Sequence, residues 1–205
     1  MPGNLFIVSA PSGAGKTSLV AALLDADPLV RKSVSFTTRA PRPGEVNSRE
    51  YNFVTADEFE RMQRTGEFVE SALVHGSRYG TSHQWVGARL AEGQDILLEI
   101  DWQGAAQVRR VSPVAVGIFI LPPSYQALIA RLNNRATDAP EIIARRLHNA
   151  REEISHLVDF NYVIINEDFD RAAQELAAIV VAERLKLARQ KERHRDLIAQ
   201  LLHPQ

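Results

Sequence analysis

Cysteine is absent from this 205-residue chain, which removes disulfides, thiol catalysis and zinc–cysteine sites together. Neither sign of charge predominates. With 24 Lys and Arg against 25 Asp and Glu, the footprint of a protein that coats nucleic acid or a polybasic membrane surface is missing. Long apolar runs are lacking too: the longest, Val114 to Leu121, is far too short to cross a bilayer. Met1-Pro2-Gly3 leads directly into a strand-like segment, with neither a charged n-region nor an apolar h-region. No internal repeat, low-complexity tract or linker is evident, and the six histidines show no metal-ligand spacing such as His-Glu-x-x-His. Trp85 and Trp102 read as packing residues. The expectation is a soluble, cytoplasmic, single-domain protein, with 45% hydrophobic residues to fill its core.

What is present alternates between two periods. Asn4 to Ala10 reads as a buried strand, and Lys16 to Ala26 follows as a helix carrying Leu19, Val20, Leu23 and Leu24 on one face. Short apolar runs return at Ile96 to Ile100, Val114 to Leu121 and Tyr162 to Ile165, separated by amphipathic stretches of helical length. That alternation predicts an α/β fold, a parallel sheet covered on both faces. Two blocks break the rhythm. Residues 35–82 read as a sheet-rich insertion with strand-like Lys32 to Arg39 and Tyr51 to Val54, and a short helix capped by Thr55 with Glu58 and ended by Gly66. Residues 122–159 read as two arginine-rich helices without a strand. Arg171 to His203 is predicted as one long charged helix. Its Leu197, Ile198, Leu201 and Leu202 would face either a second copy of the chain or the chain's own core.

Between the first strand and the first helix stands SAPSGAGKT, Ser9 to Thr17. Strand, glycine loop, Gly-Lys-Thr and helix in that order form a P-loop, in which backbone N–H groups wrap phosphates, Lys16 reaches the β/γ oxygens and Thr17 holds Mg²⁺. Ala10 stands where the pattern begins with glycine, while Gly13 and Gly15 keep the close backbone approach. No guanine-reading Asn-Lys-x-Asp segment of a GTPase follows, and the length suits a small-molecule kinase.

Between Arg31 and Arg49 five cations (Arg31, Lys32, Arg39, Arg42 and Arg49) meet one anion, Glu45. Two arginines three residues apart beside a tyrosine hydroxyl suit a phosphate dianion. SAPSGAGKT, TTRAPRPGE (Thr37 to Glu45), Tyr79-Gly80-Thr81, IDWQGA (Ile100 to Ala105) and ILPPS (Ile120 to Ser124) together resemble the guanylate kinases of bacterial type, from about Phe6 to Asp170.

That resemblance implies a P-loop nucleoside-monophosphate-kinase fold with a five-stranded parallel core sheet. The core would comprise residues 1–34, 83–121 and 160–205, with a GMP-binding region at 35–82 and a lid at 122–159. It implies the reaction ATP + GMP → ADP + GDP with Mg²⁺. ATP would be held by Ser9, Ala10, Pro11, Ser12, Gly13, Ala14, Gly15, Lys16, Thr17 and Ser18, with Asn166 near the adenine edge. The GMP phosphate falls to Arg39, Arg42, Tyr51 and Tyr79. Guanine falls to Ser35, Glu70 and Thr81 beside Gly80, with an acidic contribution from Glu99 and Asp101, the latter also reaching the metal through water. The family has Asp-x-Asp where this chain has Glu99-Ile100-Asp101, and Arg-Gly where it has Arg135-Ala136.

The chemistry agrees with the resemblance. Guanine presents N1–H and N2–H donors beside the O6 acceptor, which a carboxylate and a hydroxyl match, whereas adenine turns a bare lone pair toward the carboxylate. The lid would bring Arg131, Arg135 and Arg146 to the transferring phosphoryl group, where an arginine is worth roughly 10³–10⁵ in rate in other phosphoryl-transfer enzymes. With a second phosphate pKa near ~6, GMP needs no general base. Two alternatives share parts of the pattern. A non-catalytic protein-binding module of the same fold has no use for Lys16, Thr17 and three lid arginines. A kinase for a phosphorylated ribose has no use for Ser35, Glu70 and Thr81 as a set.

Overall fold

The computed structural model describes residues 1–74, 76–133 and 140–203, with the backbone alone over 140–145. The first strand, β1 (Leu5–Ser9), is buried along its whole length, as an all-apolar run flanked on both sides must be. It leads through the P-loop into α1 (Lys16–Ala26) and then β2 (Val30–Lys32). The insertion supplies β3 (Phe36–Thr37), β4 (Asn52–Phe53), α2 (Ala56–Arg64), β5 (Phe68–Val74) and β6 (Ser77–Ser82). The core resumes with α3 (His83–Ala91), β7 (Asp95–Glu99), α4 (Trp102–Val111) and β8 (Val116–Leu121). After α5 (Tyr125–Asn133), α6 (Pro140–Ser155) and a 3₁₀ turn at His156–Asp159 come β9 (Tyr162–Ile165) and three closing helices, α7 (Phe169–Arg184), α8 (Leu187–Arg193) and α9 (Arg195–Leu202).

The main sheet is parallel, in the order β2-β7-β1-β8-β9, and has the five strands expected. Alternation along β1 divides the core. Phe6 and Val8 pack with Leu19, Val20 and Leu23 of α1 and Leu176 and Val180 of α7, whereas Leu5 and Ile7 pack with Val86 of α3 and Val108 of α4. The insertion forms a second sheet, β4-β3-β6-β5. The strand expected over Lys32 to Arg39 is therefore two strands: Val30–Lys32 joins the main sheet and Phe36–Thr37 the small one. Thr55 Oγ1 accepts the Glu58 N–H at 3.2 Å, whereas the Glu58 carboxylate takes Arg61 instead of closing the capping box.

The long C-terminal helix expected from Arg171 to His203 is broken twice. Lys186 adopts an extended backbone (φ −53°, ψ 136°) before α8, and His194 (φ −115°, ψ 30°) separates α8 from α9. No glycine or proline lies there, so the breaks come from tertiary contacts. Arg184 on α7 binds Asp27 and Asp95, each at 2.6 Å. Beyond the first break Arg189 reaches back to the carbonyls of Pro2, at 2.9 Å, and Gly3. On α9 Leu197, Leu201 and Leu202 are exposed, which excludes the chain's own core as their cover. No described helix is long and apolar enough to cross a membrane.

Candidate active site

The P-loop and the small sheet meet at the C-terminal ends of β1 and β7, where a parallel sheet opens a crevice for ligands. Gly13 and Gly15 have φ of 91° and 95°, the left-handed region in which a side chain is strained. A Cβ on Gly13 would also lie 3.1 Å from Leu132, because α5 packs over the loop. The loop is braced from two sides. Asn166 Nδ2 donates to the Ala14 carbonyl at 2.7 Å, while Arg131 Nη2 donates to the Asn166 carbonyl at 2.9 Å, which sets α5 against the loop. Asn166, which the resemblance puts near the adenine edge, gives one N–H of its side-chain amide to the loop.

Lys16 starts α1, and its Nζ lies 3.5 Å from the carbonyl of Ile100. Beside it, Thr17 donates its hydroxyl to Glu99 Oε1 at 2.5 Å, and Lys32 Nζ bonds Glu99 Oε2 at 3.2 Å. Burial pushes the Glu99 carboxyl up, but Lys16 and Lys32 outweigh it and hold it below the usual carboxylate range. Glu99 thus sits against the P-loop threonine while also lining the cavity that holds Glu70. A hydroxyl and an ionised carboxylate side by side are hard oxygen donors that fit Mg²⁺, which takes one or two protein oxygens and completes its shell with phosphates and water. Among the described residues no cluster of His, Cys, Asp and Glu would hold a metal without a nucleotide.

On the far side of Lys16 opens a cavity of about 210 Å³, lined by Ser35, Tyr51, Glu70, Tyr79, Glu99 and Asp101 among others. Glu70, on β5, is 3% exposed and accepts the Thr81 hydroxyl of β6 at 2.5 Å. Burial raises its carboxyl to about 7; the Thr81 bond pulls it down and the charge of Asp101 adds to the rise. Asp101 caps α4 by accepting the Gly104 N–H at 2.9 Å. Gly104 has a second role that the sequence did not suggest: a Cβ there would lie 2.6 Å from Glu70 Oε2. Gly80 is constrained likewise, with Phe68 2.9 Å from its Cβ position.

At the mouth of the cavity Arg39 lies over the Tyr51 ring, and Tyr51 meets Tyr79 edge-on with centroids 5.7 Å apart. Arg39 binds Glu45, whose carboxylate also accepts the Arg42 N–H at 2.7 Å, while the Arg42 side chain is exposed. Arg146 is half-buried on α6, and Arg135 lies outside the described residues. Trp102 stacks on His156, with ring centroids 3.6 Å apart and 8° between planes, tying α4 to the end of the lid block. A larger cleft of about 900 Å³ lies at the opposite ends of the strands, under α8 and α9. Its five arginines face Glu92, Asp95, Glu192 and Asp196, and none of the expected site residues lines it.

A P-loop on the first strand of a five-stranded parallel sheet, facing a cavity with a buried carboxylate, defines a nucleoside-monophosphate kinase. The family model described as guanylate kinase matches residues 2–183. The chain is 55% identical over 202 residues to the guanylate kinase of Methylobacillus flagellatus, covering 98% of this chain and all of that one. It is 56% identical over 199 residues to that of Thiobacillus denitrificans, covering 97% and 95%. The crystal structure of guanylate kinase from Anaplasma phagocytophilum superposes with a TM-score of 0.77 at 35% identity, covering 92% of this chain and 89% of that one. The chain belongs to the guanylate kinase family.

Proposed function

We propose a division of labour for the reaction this enzyme catalyses, ATP + GMP → ADP + GDP, in which residues 1–34, 83–121 and 160–205 form the core, 35–82 hold GMP and 122–159 form the lid. Lys16 carries the assignment furthest, because it belongs to the P-loop and also lines the cavity of Glu70. A γ-phosphoryl group on the loop therefore faces an acceptor in that cavity. Ser9 to Ser18 cradle the ATP phosphates through backbone N–H groups, and Asn166 serves ATP by fixing the loop's shape. Thr17 holds Mg²⁺ with the nucleotide phosphates. Glu99 accepts from Thr17, and Asp101 reaches the ion through water. Bound there, Mg²⁺ neutralises charge on the phosphates.

In the acceptor pocket Glu70 accepts from guanine N1–H and N2–H, with Ser35 and Thr81 completing the hydroxyl contacts. Arg39, Arg42, Tyr51 and Tyr79 hold the phosphate at the mouth. Catalysis is then alignment and stabilisation of charge, with Lys16, Arg131, Arg135 and Arg146 facing the transferring group. Cytoplasmic purine nucleotide metabolism and GMP recycling accord with this chemistry. Self-association through α9 is supported by Leu201 and Leu202, 72% and 69% exposed, and is read directly by sedimentation. The function is tested by ADP release with GMP, dGMP, AMP, UMP and CMP as acceptors. GMP is expected to lead AMP, UMP and CMP by orders of magnitude, while dGMP, which carries the same base, reports on the sugar; turnover equal across the bases would contradict the assignment.

A further inference from the structure

One carboxylate near the P-loop has no part in the scheme above. Glu153 lies near the end of α6, in the lid block, and its Oε2 accepts the Ser12 N–H of the P-loop at 3.2 Å. Ser12 and Glu153 are 141 residues apart, so the contact joins the lid to the phosphate cradle. A carboxylate oxygen on a backbone N–H of this loop stands where an anionic ligand oxygen would bind. Arg146 precedes Glu153 by seven residues, two helical turns, so the two share a face of α6.

We propose that Glu153 is a lid-borne gate on the ATP site: in the nucleotide-free enzyme its carboxylate occupies the Ser12 amide and pins the base of α6 to the P-loop, and the incoming triphosphate displaces it. The proposal rests on the assignment of the P-loop to ATP. Displacement exchanges one anion for another at the same donor, so nucleotide binding and release of the lid become one event. Glu153 is thereby a positioning residue, holding the face that carries Arg146 until the donor arrives.

The charges around the gate make it responsive to pH. Burial raises the Glu153 carboxyl to about 7; Ser12 N–H and Lys16 pull it down, while Asp101 and its neighbour Glu152 push it up. Below that value the closed gate holds a neutral carboxyl; above it the gate holds a carboxylate whose burial costs more than the Ser12 bond and Lys16 return, and displacement into water relieves that cost. The gate therefore gives way more easily as pH rises through about 7, and ATP binding strengthens with it.

The test is ATP affinity by calorimetry, from pH 6 to pH 8, in the wild-type enzyme and in Glu153→Gln. The amide keeps the size and one acceptor oxygen but carries no charge. Gln cannot ionise and holds the gate closed at either pH, whereas wild type loosens above about 7, so wild type is expected to bind ATP about fivefold more tightly than Glu153→Gln at pH 8. At pH 6 the two proteins should converge. Titration of ATP itself is common to both and cancels in the comparison. Glu153→Ala, which has no gate, should bind more tightly than wild type at pH 6 and lose that advantage at pH 8, and GMP affinity, measured alongside, reports that each variant is folded. Parallel pH profiles of wild type and Glu153→Gln, or weaker ATP binding by Glu153→Ala than by wild type at pH 6, would overturn the gate while leaving the ATP site intact. A wild-type enzyme that binds no ATP would overturn the functional reading, and the gate with it.

Discussion

Arg39 gives its Nη2 to both oxygens of Glu45, at 2.8 and 2.9 Å, while its Nη1 donates to the Ala40 carbonyl at 2.8 Å. The arginine expected to hold the acceptor phosphate is thus anchored at two points and stacked over Tyr51 before any ligand arrives. Glu45 is itself fixed by the Arg42 N–H, and these bonds hold its carboxyl below the usual range. A guanidinium oriented in advance loses less freedom on binding.

Loss of that anchor should therefore cost affinity rather than turnover. Glu45→Gln is expected to raise the KM for GMP about three- to tenfold with little change in kcat, because the phosphate must then order Arg39 itself. Steady-state kinetics with GMP varied at saturating ATP checks it. A fall in KM would mean instead that Glu45 competes with the phosphate.

Gly104→Ala separates fold from function. Alanine gains about 0.5–1 kcal/mol of helix propensity in α4 against about 1–3 kcal/mol for the buried bond it disturbs, so denaturant stability should fall by no more than about 2 kcal/mol. The new Cβ, 2.6 Å from Glu70 Oε2, forces the carboxylate off its place and off Thr81. Affinity for GMP should fall about tenfold or more, the loss of at least one charge-assisted hydrogen bond, with ATP affinity unchanged. Full GMP affinity in this variant would show that Glu70 need not sit where it does.

Burial of Glu70 predicts a pH dependence with a definite sign. Its carboxyl titrates at about 7 in the folded enzyme and near the ordinary 4.5 when unfolded, so between these values the native state binds more protons. Its contribution to stability therefore falls as pH rises from about 4.5 through 7. Glu70→Gln, which never ionises, should be more stable than wild type at pH 8, on the order of 1–3 kcal/mol, and similar at pH 4.5. GMP binding runs the other way, since guanine donors need the carboxylate, so wild-type affinity should weaken below pH 7. Chemical denaturation and calorimetric titration across this range read both slopes.

Asn166→Ala should loosen the P-loop alone. Removing the amide leaves the Ala14 carbonyl only the longer bond from Arg131 Nη1, at 3.4 Å, at a cost of about 1 kcal/mol shared between stability and ATP affinity. Affinity for GMP should stay within about twofold. An ATP affinity unchanged from wild type would remove Asn166 from the donor site.

Which of these residues the sequence reveals depends on the distance over which their chemistry acts. Ser9 to Thr17 is legible because the loop's donors are contiguous and its glycines answer a local demand for positive φ. The strands β1, β7, β8 and β9 are legible because each has an apolar centre, whereas β2, Val30–Lys32, is too short and too charged to stand out. Glu70 and Thr81 came from the family resemblance, since a lone glutamate and threonine carry no pattern. Gly104 escaped notice because its constraint is the carboxylate of Glu70 on another element, and Glu153 because its partner Ser12 lies across the whole core. The break at Lys186 escaped because no residue there opposes a helix; contacts to Pro2 and Gly3 decide it. Glu99 came from the Asp-x-Asp of the family resemblance, and its bonds to Thr17 and Lys32 carry no sequence pattern because those partners lie 82 and 67 residues away.

The central claim, that the buried Glu70 reads guanine while the P-loop supplies the phosphoryl group, is tested most directly by the ratio of kcat/KM for GMP to that for AMP in wild type and Glu70→Gln. The account predicts a large GMP preference in wild type and a ratio lower by about ten- to a hundredfold in the variant, because the amide turns one donor toward guanine's donors and no longer repels the adenine lone pair. The Arg39 and Tyr51 grip should persist, so the acceptor remains a monophosphate and ATP affinity is unchanged. A ratio equal to that of wild type would contradict the account.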